Sequence, residues 1–267
     1  MIIFGADFSG AQNPSKGIYY AEGDVQPHSI NIKRIIHCED RLDLLYAIHT
    51  SASPWGLDFP FSLPRQLFTR LNLNDWEELL QYTSQTTRSR FFREVTTALP
   101  FSCEKKCREP SDCCRHTDGA VNAFSPLKQN NPNMLAMTYA GLKFLYYLRN
   151  LGNAVFPFDT FDKAVSRLYE VYPSYTWSHL HLPRSSSLEQ LIPICEEKYG
   201  LQVNLEMESE LASIDAADAA VACITLGLAF NRYRIEENWH LKTTLWEDKE
   251  WDNRFWEGLV LMQLGTY

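Results

Sequence analysis

MIIFGADFSG (1–10), KGIYYA (16–21), SINIKRIIH (29–37), DRLDLLYAIH (40–49) and WGLDF (55–59) follow one another at the start of the chain. The first segment is apolar and β-rich, and the second reads as another short strand. The third alternates through Ile30 and Ile32 before Ile35 and Ile36, the period-two signature of a half-buried strand. Gly23, Asp24 and Pro27 supply turn chemistry between the second and third segments. Leu42, Leu45, Tyr46 and Ile48 then recur at helical spacing, and Trp55–Phe59 is a fourth strand stopped by Pro60. The order β-β-β-α-β predicts an α/β fold.

Beyond this unit the texture changes. From about Ser62 to Asn133 the chain carries short helical patches at Leu63–Leu71 and Asp75–Tyr82, a cysteine cluster, and a turn-rich exit. This stretch, centred on about 65–130, reads as an insertion in one domain spanning 1–267. Met134–Leu151 has strong helical periodicity. Ala154–Phe158 and Ala164–Val171 look like strands, the second ended by Pro173. Leu188–Tyr199 is a helix closed by Gly200, and Ser213 is a candidate N-cap for an Ala-rich helix from Ile214 to Phe230. The tail, about 236–267, is acidic and carries Trp239, Trp246, Trp251 and Trp256. Their spacing fits packing against the sheet, with base stacking as the functional alternative.

Composition narrows the function. The chain has 267 residues, 45% hydrophobic, with a formal net charge of -8. No run approaches the ~18 consecutive apolar residues of a membrane helix, so none is expected. The N-terminus lacks the basic region and apolar core of a secretory signal, which makes the cytoplasm the default location. The acidic balance disfavours a generally basic nucleic-acid surface. Between Ser84 and His116, however, seven basic residues (Arg88, Arg90, Arg93, Lys105, Lys106, Arg108, Arg115) stand against four acidic ones.

Carboxylates stand in apolar settings: Asp7 after IIFGA, Asp58 in WGLDFP and Glu170 in RLYEVYP. Desolvating such a charge is costly unless it has a task or a partner, and strand ends of open α/β sheets are where ligands bind. Asp215 and Asp218, three apart, share a helical face. Hard divalent ions want oxygen ligands. Four or five carboxylates from strand ends and one helix suit two such ions about 3.5–4 Å apart. Each acid taken alone has a plainer explanation as a cap, turn residue or ion-pair partner.

The segments GADFSG (5–10), GLDFPFSLP (56–64), LYEVYPS (168–174) and DAADAAVACI (215–224) resemble the family called domain of unknown function 429. Its members are regarded as nucleases of the ribonuclease H-like superfold. The resemblance implies a five-stranded mixed sheet, its first three strands antiparallel, with helices on both faces. It implies that Asp7 on the first strand, Asp58 on the fourth and Asp215 or Asp218 on the last helix are metal ligands, with Glu170 at the EVYP position. On this reading Asp7, Asp58, Glu170 and Asp218 are catalytic, Asp215 supports them, and two magnesium or manganese ions are bound. The resemblance leaves the insertion and the tail outside it. Asp40 and Asp43, near the start of the first helix, read as residues favoured there by the dipole.

Cys103, Cys107, Cys113, Cys114 and His116 supply enough ligands for a structural zinc. Against this, the paired C-x2-C spacing is absent, and inert or redox-sensitive thiols are the competing account. Without a secretory signal a disulfide framework is the less expected one. Lys128, Arg115 and Lys143 are candidate phosphate contacts, and His179 and His181 candidate bases, although the structural reading is the preferred one for each.

The expected activity is therefore divalent-metal-dependent phosphodiester hydrolysis, with DNA, RNA and a small nucleotide all open as substrate, nucleic acid as a candidate partner, and no membrane. The alternative is a non-enzymatic binding or scaffold protein with an acidic pocket. Kinase-like ATPases of the same superfold, whose first phosphate loop DFSG (7–10) resembles, need a duplicated domain and glycine-rich loops. This chain has 12 glycines and no second copy of the motif.

Overall fold

The computed structural model describes residues 1–12, 17–99, 102–183, 187–200, 202–205, 213–233, 252 and 254–261. Its centre is a mixed sheet of eight strands with helices on both faces. The strands are β1 (Ile2–Asp7), β2 (Tyr19–Gln26), β3 (Ser29–His37), β4 (Pro54–Asp58), β5 (Ala154–Val155), β6 (Arg167–Val171), β7 (Gln202–Leu205) and β8 (Val260–Leu261). The order is β5-β6-β4-β1-β2-β3-β7. β1, β2 and β3 are antiparallel neighbours, whereas β4 runs parallel to β1 and β6 parallel to β4. The five strands expected are thus joined by three more. β5 covers the first half of the outer edge of β6, β8 the second half, and β7 extends the sheet beyond β3.

Nine helices of more than one turn are described before residue 234: α1 (Arg41–Ser51), α2 (Arg65–Arg70), α3 (Trp76–Gln85), α4 (Arg88–Thr97), α5 (His116–Ala120), α6 (Met134–Asn150), α7 (Pro173–His179), α8 (Leu188–Tyr199) and α9 (Ile214–Tyr233). Local chemistry sets their ends. Asp40 caps α1 by accepting from the amides of Leu42 and Asp43, while Asp43 accepts from that of Glu39. Both acids are therefore occupied at the helix start, as expected. Ser187 and Gln190 form a capping box on α8, and Gly200 closes it at φ 62°. Ser213 Oγ accepts from the Ala216 amide at the start of α9.

Alternation along the strands divides the interior in two. Phe4, Ala6, Trp55 and Leu57 point to the face covered by α1, α6 and the insertion. Ile3, Ala21, Ile30 and Val171 point to the face covered by α7, α8 and α9. The insertion belongs to the first core, because Leu67, Phe68, Trp76, Leu79, Phe91 and Val95 are buried there. Trp256 packs edge-on against Phe68 at 5.2 Å and is the one tail tryptophan within the described residues. Trp239, Trp246 and Trp251 lie outside them. The stretch Ile214–Asn231 of α9 has a mean hydropathy of 1.4, long and apolar enough for a membrane span, yet 78% of it is buried inside the protein. Ala216, Ala219, Ala220, Ala222 and Ala229 make α9 a core helix.

Small residues let α9 lie against the sheet backbone. A Cβ at Gly5 would come 1.9 Å from the Cys223 amide nitrogen, and one at Gly56 would meet Ala222 O at 3.2 Å. Both glycines sit two residues before an aspartate and therefore on the same sheet face as it.

The cysteine cluster takes the less expected form. Cys103 is bonded to Cys113 and Cys107 to Cys114, with Cα–Cα separations of 5.5 and 5.7 Å. Sulfurs joined in disulfides are not thiolates for zinc, and His116 turns away, its Nδ1 lying 2.9 Å from Glu257. The zinc expectation for Cys103, Cys107, Cys113, Cys114 and His116 is corrected accordingly. Cys38, Cys195 and Cys223 are free and buried. Burial pushes the first two thiols up to about 12. With Ellman's reagent the native protein is expected to show no fast-reacting thiol, the denatured protein three, and the reduced, denatured protein seven. Seven after denaturation without reductant would contradict the pairing.

Candidate active site

In the register of β1 and β4, Asp7 lies opposite Asp58. Parallel neighbours are about 4.8 Å apart and present side chains at one level on the same face. The two carboxylates thus stand side by side where both strands end. Across from them is the first turn of α9, whose Asp215 reaches the position facing Gly17. Asp7, Asp58 and Asp215 line one cavity of about 550 Å³. The chain leaving β6 adds Tyr172 and Ser174, and the start of α6 adds Asn133 and Met134. Three parallel strands therefore contribute their carboxyl ends, the usual ligand position in an open α/β sheet.

One wall is the loop after β1. A Cβ at Gly10 would lie 2.4 Å from Met137 Cα, so this loop presses onto α6. Two guanidinium groups hold it: Arg41 donates to Ser9 O and Ala11 O, and Arg88 donates to Gly10 O at 3.1 Å. Arg88 itself lines the cavity. The basic insertion thus sends one cation to the acidic pocket, a contact that charge counting located only to a window.

Two of the expected catalytic residues are not brought to the cavity wall. Glu170 is 2% exposed, and both its oxygens accept from Arg115, Oε1 from Nη2 at 2.6 Å and Oε2 from Nη1 at 2.9 Å. Oε2 also accepts from the Phe61 amide at 3.0 Å. Arg115 reaches on to Asp118 and to Glu257 O. Burial raises the Glu170 pKa, opposed by the charge of Arg115 and by its hydrogen bonds. Burial likewise lowers that of Arg115, but Asp118 and Glu170 outweigh it and hold the guanidinium above its ordinary value. This is an internal ion network joining the insertion, β6 and the C-terminal segment. Asp218 is fully buried one turn beyond Asp215 and accepts from the Trp177 indole at 3.0 Å.

The other candidates have structural engagements. Lys128 donates to the carbonyls of Asn130, Asn131 and Pro132, fixing the turn before α6. His179 lies between the rings of Tyr175 and Tyr199, at 5.4 and 6.3 Å between centroids. Lys143 sits on α6 in a separate groove.

Among the described residues, no three His, Cys, Asp or Glu side chains converge closely enough to form a metal cage. Comparison of the chain with protein-family models, curated proteins and solved structures finds no match. The functional reading therefore rests on the pocket.

Proposed function

We propose that the chain is a divalent-metal-dependent phosphodiester hydrolase of ribonuclease H-like fold, acting in the pocket between Asp7, Asp58 and Asp215. The observation that carries this is the pairing of Asp7 with Asp58 at one register on adjacent parallel strands, with Asp215 opposite. Three antiparallel strands followed by parallel ones, with an aspartate ending β1 and β4, agree with that superfold.

The donors are hard oxygens, which suit magnesium or manganese. A pair of carboxylates, rather than a cage, fits ions that keep waters and take remaining ligands from substrate phosphate. When bound, such an ion polarises the phosphoryl group and lowers the pKa of an attacking water. Asp7 and Asp58 would hold it, with Asp215 completing the acidic wall and serving a second ion. Arg88 and the positive end of α6 at Asn133 and Met134 offer opposite charge to a phosphate. Asp218 and Glu170 act behind the pocket: one anchors α9 to Trp177, the other anchors β6 to the insertion.

The withdrawal of these two acids into internal bonds favours the second reading, a protein that binds in the acidic pocket without catalysis. Manganese titration into wild type and Asp58→Asn, paired with hydrolysis of bis(p-nitrophenyl) phosphate, separates the two. The variant is expected to bind manganese at least about tenfold more weakly, and hydrolysis to require the metal and Asp58. Binding without metal-dependent hydrolysis of this diester or of any oligonucleotide would leave the scaffold reading.

A further inference from the structure

A second groove, of about 390 Å³, lies beside the acidic pocket between α1 and α6. Arg88 lines both, and the Ser9–Ala11 loop forms part of the acidic pocket's wall. Arg41 and Lys143 complete its charge, and none of its described lining residues is acidic. In a chain of net charge -8 this is a local excess of three cations. None of the three makes a salt bridge among the described residues. Arg41 and Arg88 give some of their N–H groups to the loop carbonyls. Burial and the neighbouring charge of Arg88 lower the Arg41 pKa, partly offset by the charge of Asp40. Asp40, the nearest acid in sequence, is committed to capping α1.

The rim is apolar and aromatic where solvent reaches it. Tyr147 and Leu42 both line the groove and are 47% and 71% exposed. Tyrosine faces beside a row of cations are the two elements by which proteins hold an unpaired nucleic-acid strand, phosphates on charge and bases on rings. Paired bases, stacked inside a duplex, do not offer their faces to such a platform.

We propose that this groove binds single-stranded nucleic acid and leads its backbone past Arg88 to the carboxylate pocket. This deepens the proposed hydrolase by naming its substrate class, and the cleavage step rests on that reading, although binding does not.

The test is fluorescence anisotropy in chelator with a labelled oligothymidylate of about 20 nucleotides, longer than the ~4–16 that small single-strand sites cover. Wild type is compared with Tyr147→Ala and Lys143→Glu, whose side chains are partly exposed, after thermal melts show both to be folded. Tyr147→Ala is expected to weaken binding about tenfold. Lys143→Glu is expected to weaken it and to reduce the salt slope by about one. Three outcomes would each overturn the proposal: no binding by wild type at low salt, affinities unmoved in both variants, or equal binding of a duplex. Displacement by polyglutamate as effective as by unlabelled strand would overturn it too, leaving a general anion surface. Because the diester assay has no bases and this assay has no metal, failure of one leaves the other readable.

Discussion

Arg115→Met should lower stability by about 3–5 kcal/mol, the usual cost of removing one partner from a buried ion network. Arg115 is 1% exposed, and it is the cation to which both Asp118 and Glu170, also buried, are bonded. Methionine fills much of the volume but leaves two carboxylates in low dielectric. It also leaves Glu257 O without the Nη1 donor it now has. For a typical domain, holding about 5–15 kcal/mol in all, this is a large fraction, visible as a shifted urea midpoint. Glu170→Gln is the informative companion. It keeps an amide oxygen for Phe61 N–H, leaves Arg115 paired with Asp118, and should cost less than the Arg115 change. If Glu170 positions β6, as its bonds indicate, the Gln variant retains metal-dependent hydrolysis within about tenfold. A folded Glu170→Gln protein with activity lost by about 10³-fold would return Glu170 to the ligands.

Asp7→Asn should do the opposite: lose the reaction and keep the fold. Asp7 and Asp58 are like charges at one register, and such pairs across neighbouring strands are destabilising. An amide at position 7 relieves that repulsion, so the melting temperature should stay level or rise. Hydrolysis should fall by at least about 10³-fold, at the upper end of what one transition-state hydrogen bond is worth, because a metal-holding carboxylate is gone. Circular dichroism melts and diester hydrolysis on the same preparation decide the matter. Activity retained within about tenfold would remove Asp7 from the proposed site.

What was legible in the residues is what local chemistry controls. The third strand reads correctly at Ser29–His37 because its alternation is real, and α8 because Gly200 ends it. Asp7, Asp58 and Asp215 are legible because each is a charge set among apolar neighbours near an element end. Elements held by distant partners are not legible in this way. β7 pairs with β3, and β8 with β6, across long separations, and neither has a pattern of its own. The strand expected over Ala164–Val171 pairs only from Arg167. α4 is rich in arginine and buries only Phe91 and Val95, so its few apolar residues are easily passed over as loop. α7 had a readable signal, Pro173 at its first turn, although Pro173 reads in sequence only as the end of a strand. Glu170 shows the same limit at the site. Its setting announces a charge with a partner, but Arg115, 55 residues earlier, is chosen by the fold. Gly5-x-Asp7 and Gly56-x-Asp58 were in view and carried more than either acid alone: a glycine that admits the helix, then the acid that faces its end.

That double glycine seam makes the width of the acidic cleft a main-chain dimension. Between β1 and α9 there is backbone against backbone at Gly5 and Cys223, with no side chain whose trimming would let the helix settle closer. Substitutions elsewhere in the core can soften the protein without changing the gap that Asp7 and Asp215 face across. The cleft is a calibrated aperture, and tuning its preference for smaller or larger guests falls to the loop at Ser9–Ala11 and to Arg88, which border it from the side.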